Sequence, residues 1–331
     1  MINKNWLPVL IALIILMSIN LLMISSLAPS YLLRQILAWI VGLILFFVGK
    51  QINPKMLKTS KWAIFVICCL LLVAPIVLNN ITRGSRRWID IGFTSIQPSE
   101  IVKPWLMINL ANSSLPFFHL IPIGIVALQP DLGSAISIFF LMIPVIIFNK
   151  KLIKISLILG IIMLIISPII YKYMLHDYQR DRITSFINPN YDPLGKGYNV
   201  IQSKIAIGSG GLWGKGYKKG TQGQLLFLPE KHTDFMFSAT AEELGLLGIT
   251  ILLSSYYILI NTLVKKAFSS NSRANFIFTL GIAIQIWLQT VVNIGMNIGL
   301  LPVTGIPLPF ISVGGSSLIS YLFSLGIIYS S

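Results

Sequence analysis

Residues 7–23 read LPVLIALIILMSINLLM, an apolar run without a charged side chain that follows Lys4. A transmembrane helix needs about 20 apolar residues, with a range of about 17–25. The run exceeds the apolar core of a secretory signal peptide, about 7–15 residues, and no clear cleavage site follows it. The stretch therefore predicts a membrane-spanning helix that is retained in the mature protein.

The same kind of run recurs along the whole chain. The ten apolar segments cover residues 7–27, 32–49, 62–79, 101–112, 116–128, 134–149, 152–171, 235–264, 275–299 and 309–328. The fourth and fifth segments are short, so they could be half-helices, tilted spans or one re-entrant pair. The pattern predicts an all-α polytopic membrane protein with ten transmembrane helices, forming a single membrane domain over residues 1–331.

Composition excludes several other classes of protein. The chain is 55% hydrophobic and only 11% charged, whereas soluble domains carry about 25% charged residues. Its net charge of +15 does not indicate nucleic-acid binding, because the basic residues stand in short blocks between apolar runs, as topology signals do. The two adjacent cysteines, Cys68 and Cys69, lie inside an apolar run and offer neither a disulfide framework nor a cysteine-based metal site.

The distribution of charge predicts the orientation in the membrane. With the amino terminus in the cytoplasm, the cytoplasmic loops contain Lys50, Lys55, Lys58, Lys61, Lys150, Lys151, Lys154, Lys265, Lys266 and Arg273. This arrangement follows the positive-inside rule. All 10 acidic residues then lie in the opposite loops or at their membrane edges. Ten spans return the carboxyl terminus to the cytoplasm, and we expect a bacterial cytoplasmic (inner) membrane location.

One long loop, residues 172–234 between spans seven and eight, is predicted to face away from the cytoplasm. It is rich in glycine and proline, and residues 198–207 form an amphipathic stretch that could be a short helix. Within it, the glycine-rich residues 208–216 could bring backbone N–H groups to an anion such as a phosphate. Lys204 lies just before these glycines.

Arginines break the topology rule in a second, shorter outer loop. Arg83, Arg86 and Arg87 cluster there, beside Trp88. Positive charge placed against the topological bias favours a site for an anionic ligand. The alternative is that the loop was translocated regardless of its charge.

Two motifs follow that loop. Ser99 could cap a helix with Glu100 in its first turn, and the spacing of Glu100 and Lys103 puts both on one helix face. The two could line a polar cavity or form a structural ion pair that locks the helix. Farther along, Asp131 follows Pro130 and is best interpreted as the cap of the next helix.

The junction between the long loop and the eighth span carries the strongest candidate for chemistry. Asp234 stands beside His232 and Thr233 at the membrane surface, where its carboxylate could act as a general base. The residue types alone favour equally a cap for the eighth helix. Glu242 and Glu243 lie about two turns deeper and add intramembrane charge. Near the end of the chain, three prolines between residues 301 and 310 predict an interrupted span.

These motifs, in this order, resemble those of the SEDS family (shape, elongation, division and sporulation proteins). The matching segments are RGSRRWIDIG (83–92) with QPSE (97–100), QPDLGSA (129–135), NPNYDPLGKGYNVIQSKIAIGSGGLWGKG (188–216), GTQGQLLFLPEKHTDFMFSATAEELGLLG (220–248) and NIGMNIGLLPVTGIPLPFISVGGSS (293–317). The dipeptide Ile306-Pro307 resembles the elongation members of the family rather than its division members.

The resemblance implies a membrane glycosyltransferase that polymerises lipid II into peptidoglycan during cell elongation and maintenance of rod shape. It also implies a class B penicillin-binding protein as the transpeptidase partner within the elongation machinery, and undecaprenyl pyrophosphate as the leaving group. The essential loop aspartate of the family falls on Asp234, which moves the general-base interpretation ahead of the capping one. A lipid II flippase is the main alternative, and a scaffold that recruits the penicillin-binding protein is another.

The resemblance also assigns expected roles to the other charged residues. Arg83, Arg86, Arg87 and Lys204 are candidates to hold pyrophosphate, because negative charge develops there in the transition state. Trp88 is expected to stack on a sugar or to seat the lipid, and Glu100 with Lys103 to shape the cavity wall. No cofactor is implied with certainty. Glu230, His232 and Asp234 could place a divalent cation, but three such residues in one loop are more often not a metal site.

Overall fold

The computed structural model describes residues 6–52, 58–78, 87–92, 95–113, 116–129, 131–169, 171, 173, 177–188, 192, 195 and 197–330. This part of the chain is mostly helical, as the sequence predicts. The helices are α1 (Leu7–Leu27), α2 (Leu32–Gly49), α3 (Lys61–Val77), α4 (Pro98–Ile101), α5 (Lys103–Asn112), α6 (Leu120–Ala127), α7 (Leu132–Phe140), α8 (Ile143–Ile147), α9 (Lys150–Ile169), α10 (Asp177–Ile187), α11 (Tyr198–Ser209), α12 (Thr221–Gln224), α13 (Met236–Phe268), α14 (Arg273–Asn297) and α15 (Gly315–Ile328). Two short antiparallel strands, β1 (Ile89–Asp90) and β2 (Ser95–Ile96), pair with each other after the arginine cluster.

Several of these helices suit a lipid bilayer. Among the described residues, five are long and apolar enough to cross a membrane: Leu7–Leu27, Pro29–Gly49, Lys150–Ile169, Met236–Phe268 and Arg273–Asn297. Three shorter apolar helices accompany them, at Lys61–Val77, Pro116–Ala127 and Gly315–Ile328. The structure is thus that of a polytopic helical membrane protein, and the count of ten spans stays a prediction.

Proline accounts for much of the difference between apolar segments and continuous helices. The sixth segment is divided into α7 and α8, and Pro144 lies in the first turn of α8. Proline lacks a backbone N–H, which a first turn does not need but a helix interior does. The tenth segment becomes helical only at Gly315, because the proline-rich residues before it form no helix. This confirms the predicted interruption of the last span.

The last helix packs along α2 at backbone contact. A Cβ atom added at Gly326 would collide with the carbonyl group of Phe46, and one added at Gly49 would lie 2.7 Å from the Phe323 carbonyl oxygen. Small residues allow helix backbones to approach this closely inside a membrane. The pair α2 and α15 therefore forms a tightly packed helix interface.

Residues 172–234, predicted to be a long loop, contain more regular structure than the sequence suggests. In the described part of this stretch, α10, α11 and α12 are helical. The predicted short helix at residues 198–207 is confirmed as α11, whose buried side packs against α13. The extent of the loop, residues 172–234, and the single-domain division remain predictions.

The glycine-rich residues 208–216 dock on a break in α13. Gly245 interrupts that helix with φ 65° and ψ −166°, a conformation confined almost entirely to glycine. The N–H groups of Lys215 and Gly216 donate to the carbonyls of Glu242 and Glu243, at 2.9 and 3.0 Å. Beyond the break, the N–H groups of Leu246 and Leu247 donate to the carbonyls of residues 211 and 212.

The prediction that this glycine-rich stretch presents its backbone N–H groups to a phosphate is therefore wrong for residues 214–216. Gly214 donates its N–H group to the Gly210 carbonyl at 2.8 Å, and the next two N–H groups are taken up by α13. The glycines serve close packing instead, since a Cβ atom at Gly210 or Gly214 would collide with α13 backbone. The sequence could not reveal this, because the helix break that receives the loop lies about 30 residues away.

Candidate active site

Asp234 immediately precedes the N-cap residue of α13 and is half-buried. Its backbone carbonyl accepts two hydrogen bonds from α14, from Nδ2 of Asn293 at 3.1 Å and from Nδ2 of Asn297 at 3.0 Å. The N-cap residue of α13 is Phe235, which has no side-chain cap. The prediction that Asp234 is the N-cap residue is therefore wrong by one position.

The two residues before Asp234 are fixed by the segment that precedes α15. The His232 carbonyl accepts from the N–H group of Val313 at 2.9 Å, and the Thr233 carbonyl accepts from the Ser312 hydroxyl at 2.5 Å. The imidazole of His232 stacks on the ring of Tyr31, with centroids 5.1 Å apart. Three consecutive backbone carbonyls, those of residues 232–234, are thus held from two directions.

A cluster of fully buried polar side chains lies beneath Asp234. It consists of Ser203 on α11, Ser238 on α13, and Asn293 and Asn297 on α14. Oδ1 of Asn297 accepts from the N–H group and the hydroxyl of Ser238. The Ser203 hydroxyl donates to the Asn297 carbonyl at 2.7 Å, and its oxygen lies 2.5 Å from that of Ser238. The cluster ties three helices together under the candidate base.

The proline-rich segment between α14 and α15 forms another wall of the site. Nδ2 of Asn293 donates to the Ile306 carbonyl at 2.9 Å. Gly305 has φ 74°, and a Cβ atom added there would lie 3.7 Å from Oδ2 of Asp234. The same segment contacts α7, because a Cβ atom at Gly133 would lie 2.5 Å from the Thr304 carbonyl oxygen. The QPDLGSA motif and the carboxylate of Asp234 therefore flank one segment of backbone.

Asp131 performs the capping role predicted for it. Its carboxylate accepts from the N–H group of Ser134 at 3.1 Å, at the first turn of α7. It also accepts from the Ser134 hydroxyl at 2.7 Å and from Nε2 of Gln97 at 3.3 Å. A guanidinium nitrogen of Arg87 lies 3.4 Å from Oδ1 of Asp131. One buried carboxylate thus joins Arg87 and Gln97 to α7.

The remaining members of the arginine motif divide between described and undescribed residues. Arg83 and Arg86 lie outside the described part of the chain, so their expected role stays a prediction. Trp88 is half-buried just before β1, and its contact with a sugar or lipid stays a prediction. After β2, the N–H group of Gln97 donates to the Ser316 hydroxyl at 3.1 Å, which joins this motif to the start of α15.

Glu100 and Lys103 form the ion pair that their spacing predicts. Both side chains are buried, and Nζ of Lys103 lies 2.7 Å from each carboxylate oxygen. The ammonium group is 5.9 Å from the ring centroid of Tyr321. Of the two alternatives that the sequence allows, a structural ion pair or the lining of a polar cavity, this geometry favours the ion pair. Contact with a substrate stays a prediction. Buried charges persist when they are paired in this way.

The prediction that Ser99 caps the helix bearing Glu100 is wrong. Gln97 is the N-cap residue of α4, Pro98 occupies the first turn, and Ser99 lies within the helix. Proline is favoured at the first helical position, because its φ is already helical and its missing N–H is not needed there. The Ser99 hydroxyl is buried and has no hydrogen-bond partner among the described residues.

Lys204 lies on the exposed side of α11, and its side chain extends over the end of α14. The end of its side chain occupies the space that a Cβ atom at Gly299 would fill, and Gly299 has φ 77°. The carboxyl terminus of a helix carries partial negative charge, which stabilises a nearby ammonium group. Gly299 therefore leaves room for this lysine at a favourable position.

Glu242 and Glu243 are buried, and the long loop satisfies both carboxylates. Glu242 accepts from Nζ of Lys215 at 2.7 Å and from the N–H groups of residues 222 and 223. Glu243 accepts from the hydroxyl of Ser26 on α1 at 2.6 Å and from the N–H group of Lys218 at 3.2 Å. The two carboxylates thus hold the loop against α1 and α13.

Lys231 lies between these carboxylates and the His-Thr-Asp motif. Its ammonium group donates to the Gly223 carbonyl at 2.5 Å. Burial lowers the pKa of Lys231, and the nearby Glu243 carboxylate partly offsets that decrease. No group of three or more His, Cys, Asp or Glu side chains in the described ranges is arranged to hold a metal ion. A role for a divalent cation stays a prediction.

Asn293 and Asn297 are the residues whose contacts the sequence did not reveal. They lie four positions apart, so they share one face of α14. That spacing was a usable signal, since two amides on one face of an apolar helix need a polar partner. The partner, the Asp234 carbonyl, lies 59 residues away along the chain and could not be inferred from local pattern.

Comparison with known proteins decides the family. The model of the FtsW, RodA and SpoVE family, described as "Cell cycle protein", matches residues 3–331. The chain belongs to this family. It is the SEDS family whose motifs the sequence resembles, and the family assignment of those motifs is thereby confirmed.

Named relatives of the family are similar over most of their length. The peptidoglycan glycosyltransferase MrdB of Escherichia coli K12 is 39% identical over 304 residues, covering 88% of this chain and 82% of that protein. MrdB of Helicobacter pylori J99 is 35% identical, covering 95% and 86%. A probable peptidoglycan glycosyltransferase FtsW of Coxiella burnetii is also 35% identical, covering 90% and 85%.

Solved structures of family members share the fold. A chain from a study described as "Structural coordination of polymerization and crosslinking by a peptidoglycan synthase complex" superposes with a TM-score of 0.83 at 32% identity, covering 98% of this chain and 96% of that one. The rod shape determining protein RodA of Thermus thermophilus superposes with a TM-score of 0.69 at 27% identity, covering 98% and 94%.

Proposed function

We propose that this SEDS protein is a peptidoglycan glycosyltransferase that polymerises lipid II into glycan strands during cell elongation. The names of its similar relatives support the activity. The main structural support for a catalytic role is the position of Asp234. This residue is half-buried, and hydrogen bonds from α14 and from residues 312–313 fix the backbone of residues 232–234. A base held in one place can act on a hydroxyl that a bound substrate presents.

In the proposed reaction, the Asp234 carboxylate takes the proton from the 4-hydroxyl of the acceptor's N-acetylglucosamine. The oxygen forms a bond to the anomeric carbon of the growing chain. The bond from that carbon to the pyrophosphate oxygen breaks, and undecaprenyl pyrophosphate leaves with the electron pair. Negative charge moves to the leaving group, so cations aimed at it lower the barrier.

Lys204, Arg83, Arg86 and Arg87 are the proposed cations of the leaving-group site. Lys204 is exposed at the end of α14, next to the segment that bears Gly305 and contacts Asp234. Arg87 is 28% exposed and keeps one guanidinium nitrogen near Asp131, so the buried carboxylate orients a side chain that still reaches solvent. The guanidinium group of arginine can donate two parallel hydrogen bonds to phosphate oxygens. Trp88, Glu100 and Lys103 are proposed to line the lipid and sugar side of the cavity.

We further propose a class B penicillin-binding protein as the transpeptidase partner in the elongation machinery. The similar chain in a peptidoglycan synthase complex that couples polymerization and crosslinking supports this. The membrane is proposed to be the bacterial inner membrane, with both termini in the cytoplasm. The Asp234 site then faces the opposite side, where glycan strands are assembled.

The decisive experiment uses the purified protein with its partner and labelled lipid II. Asp234→Asn keeps the size of the side chain and removes the base, and a general base contributes about 100- to 10,000-fold to rate. We expect at least a hundredfold lower polymerisation rate at wild-type expression and monodispersity. Asp181→Asn, the same change on α10 of the same loop, is the matched control and is expected to stay within about twofold of the wild type.

Glycan strands formed at the wild-type rate by Asp234→Asn would remove Asp234 from the reaction. Movement of labelled lipid II across vesicle membranes without any polymer, by the wild-type protein, would favour a flippase instead. Loss of function only on changing partner-facing helix surfaces would favour a scaffold.

A further inference from the structure

We infer that Asn293, Asn297, Ser203 and Ser238 form a positioning cluster that sets the distance between the Asp234 carboxylate and the Lys204 ammonium group. The inference rests on the proposed function, since it assigns these two charged groups to the base and leaving-group sites. The four cluster residues touch neither solvent nor substrate space, because all are fully buried. They act through the backbone on which the two charged groups stand.

The first step concerns the base. Both amide groups donate to a single oxygen, the carbonyl of Asp234, from Nδ2 atoms 3.1 and 3.0 Å away. Asn293 also donates to Ile306, one residue beyond Gly305, which faces Oδ2 of Asp234. The carbonyl and the opposite wall are therefore fixed by the same amide. A shift of α14 moves both together.

The second step concerns the leaving-group site. Ser203 precedes Lys204 on α11 and donates to the Asn297 carbonyl at 2.7 Å. Asn297 in turn accepts from the N–H group of Ser238, at 3.3 Å, in the first turn of α13. One asparagine thus connects the helix that carries Lys204 with the helix that follows Asp234. The end of α14 is also where the Lys204 side chain lies, against Gly299.

The third step is energetic. A buried amide that lacks its hydrogen-bond partner destabilises the folded state more than an exposed one does. The hydrogen bonds of such a cluster therefore persist together only when each member keeps its geometry. Removing one amide takes away one of the two donors to the Asp234 carbonyl and lets the junction relax. A displacement of about 1 Å at a reacting group can cost about a hundredfold in rate. The cluster therefore acts on the chemical step rather than on binding of the lipid.

The test compares near-isosteric changes on one helix. Asn293→Leu and Asn297→Leu remove the donors to Asp234, and Gln285→Leu is the matched control. Gln285 is a fully buried amide on α14 that donates to the Ser137 hydroxyl at 2.6 Å, away from the cluster. All three lose a buried hydrogen bond and are expected to unfold at lower temperature. Only the two asparagine variants are expected to lose about 10- to 100-fold in kcat, with KM for lipid II within about twofold.

A wild-type kcat for both asparagine variants, measured per folded protein in complex with the partner, would overturn the inference. So would an equal loss of kcat in Gln285→Leu, because the effect would then follow stability alone. If the leucine variants do not fold, Ser203→Ala removes only one hydroxyl and is expected to lower kcat several-fold at unchanged KM. An unchanged kcat in that variant counts against the cluster.

Asp234→Asn is measured alongside to separate this inference from the proposed function. Full activity of Asp234→Asn would overturn the base assignment itself. An inactive Asp234→Asn beside fully active asparagine variants would leave the base in place and overturn the positioning role alone.

Discussion

At the scale of single residues, Asp131 satisfies several polar groups from one buried position. It caps α7, accepts from Gln97 and lies beside Arg87. The cap could be predicted from sequence because the carboxylate and the N–H group of Ser134 are three residues apart. The contacts with Gln97 and Arg87 could not, because 34 or more residues separate each pair and only the fold brings them together.

Replacing Asp131 tests the energetic part of this arrangement. Loss of a helix cap costs about 0.5–2 kcal/mol, and Asp131→Ala also removes the carboxylate partner of the half-buried Gln97 amide. We expect the free energy of unfolding to fall by about 2 kcal/mol, seen as a lower midpoint in thermal unfolding in detergent. Asp131→Asn keeps an acceptor oxygen and should lose less. Equal midpoints for wild type and Asp131→Ala would show that the cap contributes nothing.

At the scale of elements, α13 differs most from its sequence pattern. Hydropathy predicts one continuous span over residues 235–264, whereas the helix is interrupted at Gly245 and ends at Phe268. A glycine within an apolar helical pattern is ambiguous, because it is tolerated in a helix as well as in a break. The glycines of residues 208–216 were equally ambiguous, because they could serve anion binding or close packing. Only the contact between this stretch and the break at Gly245 shows that they serve packing.

Gly245→Ala should disrupt the junction between the loop and α13. The positive φ would strain an alanine, and its Cβ atom would collide with the backbone of Gly214. Strain of about 1–3 kcal/mol adds to the displaced hydrogen bonds, so we expect a lower unfolding midpoint and faster proteolysis within residues 210–224.

Gly160→Ala provides the control for that change. Gly160 lies in the middle of α9, and a Cβ atom there would meet no described atom within 4 Å. Alanine is favoured over glycine inside a helix by about 0.5–1 kcal/mol, so this variant should match or exceed the wild-type midpoint. Indistinguishable midpoints and proteolysis rates for the two alanine variants would contradict the docked-loop geometry.

At the scale of the whole molecule, hydropathy was sufficient to predict a polytopic helical membrane protein. The motif order was sufficient to predict its family. Hydropathy could not resolve where prolines divide apolar segments, as at α7 and α8, because a broken helix and a continuous one have the same composition. Hydropathy also could not predict the close packing of α2 against α15, because glycine contacts between helices depend on the mutual orientation of the helices.

The predicted orientation can be tested by labelling single cysteines with a membrane-impermeant maleimide. In a background with Cys68 and Cys69 changed to serine, cysteine replaces Lys151, Lys218 or Lys265, three exposed lysines in the described part of the chain. We expect intact spheroplasts to label only Lys218→Cys, and permeabilised ones to label all three. Labelling of Lys151→Cys or Lys265→Cys in intact spheroplasts would contradict the assignment of sides.

The interruption of α13 has a consequence for how this protein can change over evolutionary time. The loop supplies carbonyls to Leu246 and Leu247, and takes up carbonyls of Glu242 and Glu243, as the missing helical turn would have done. The four hydrogen bonds that span the bend at Gly245 therefore involve backbone atoms alone. The part of α13 before Gly245, which begins beside Asp234, and the longer part after Gly245 are thus two helical segments joined through the docked loop. A substitution that changes the direction of one helical segment need not change the direction of the other.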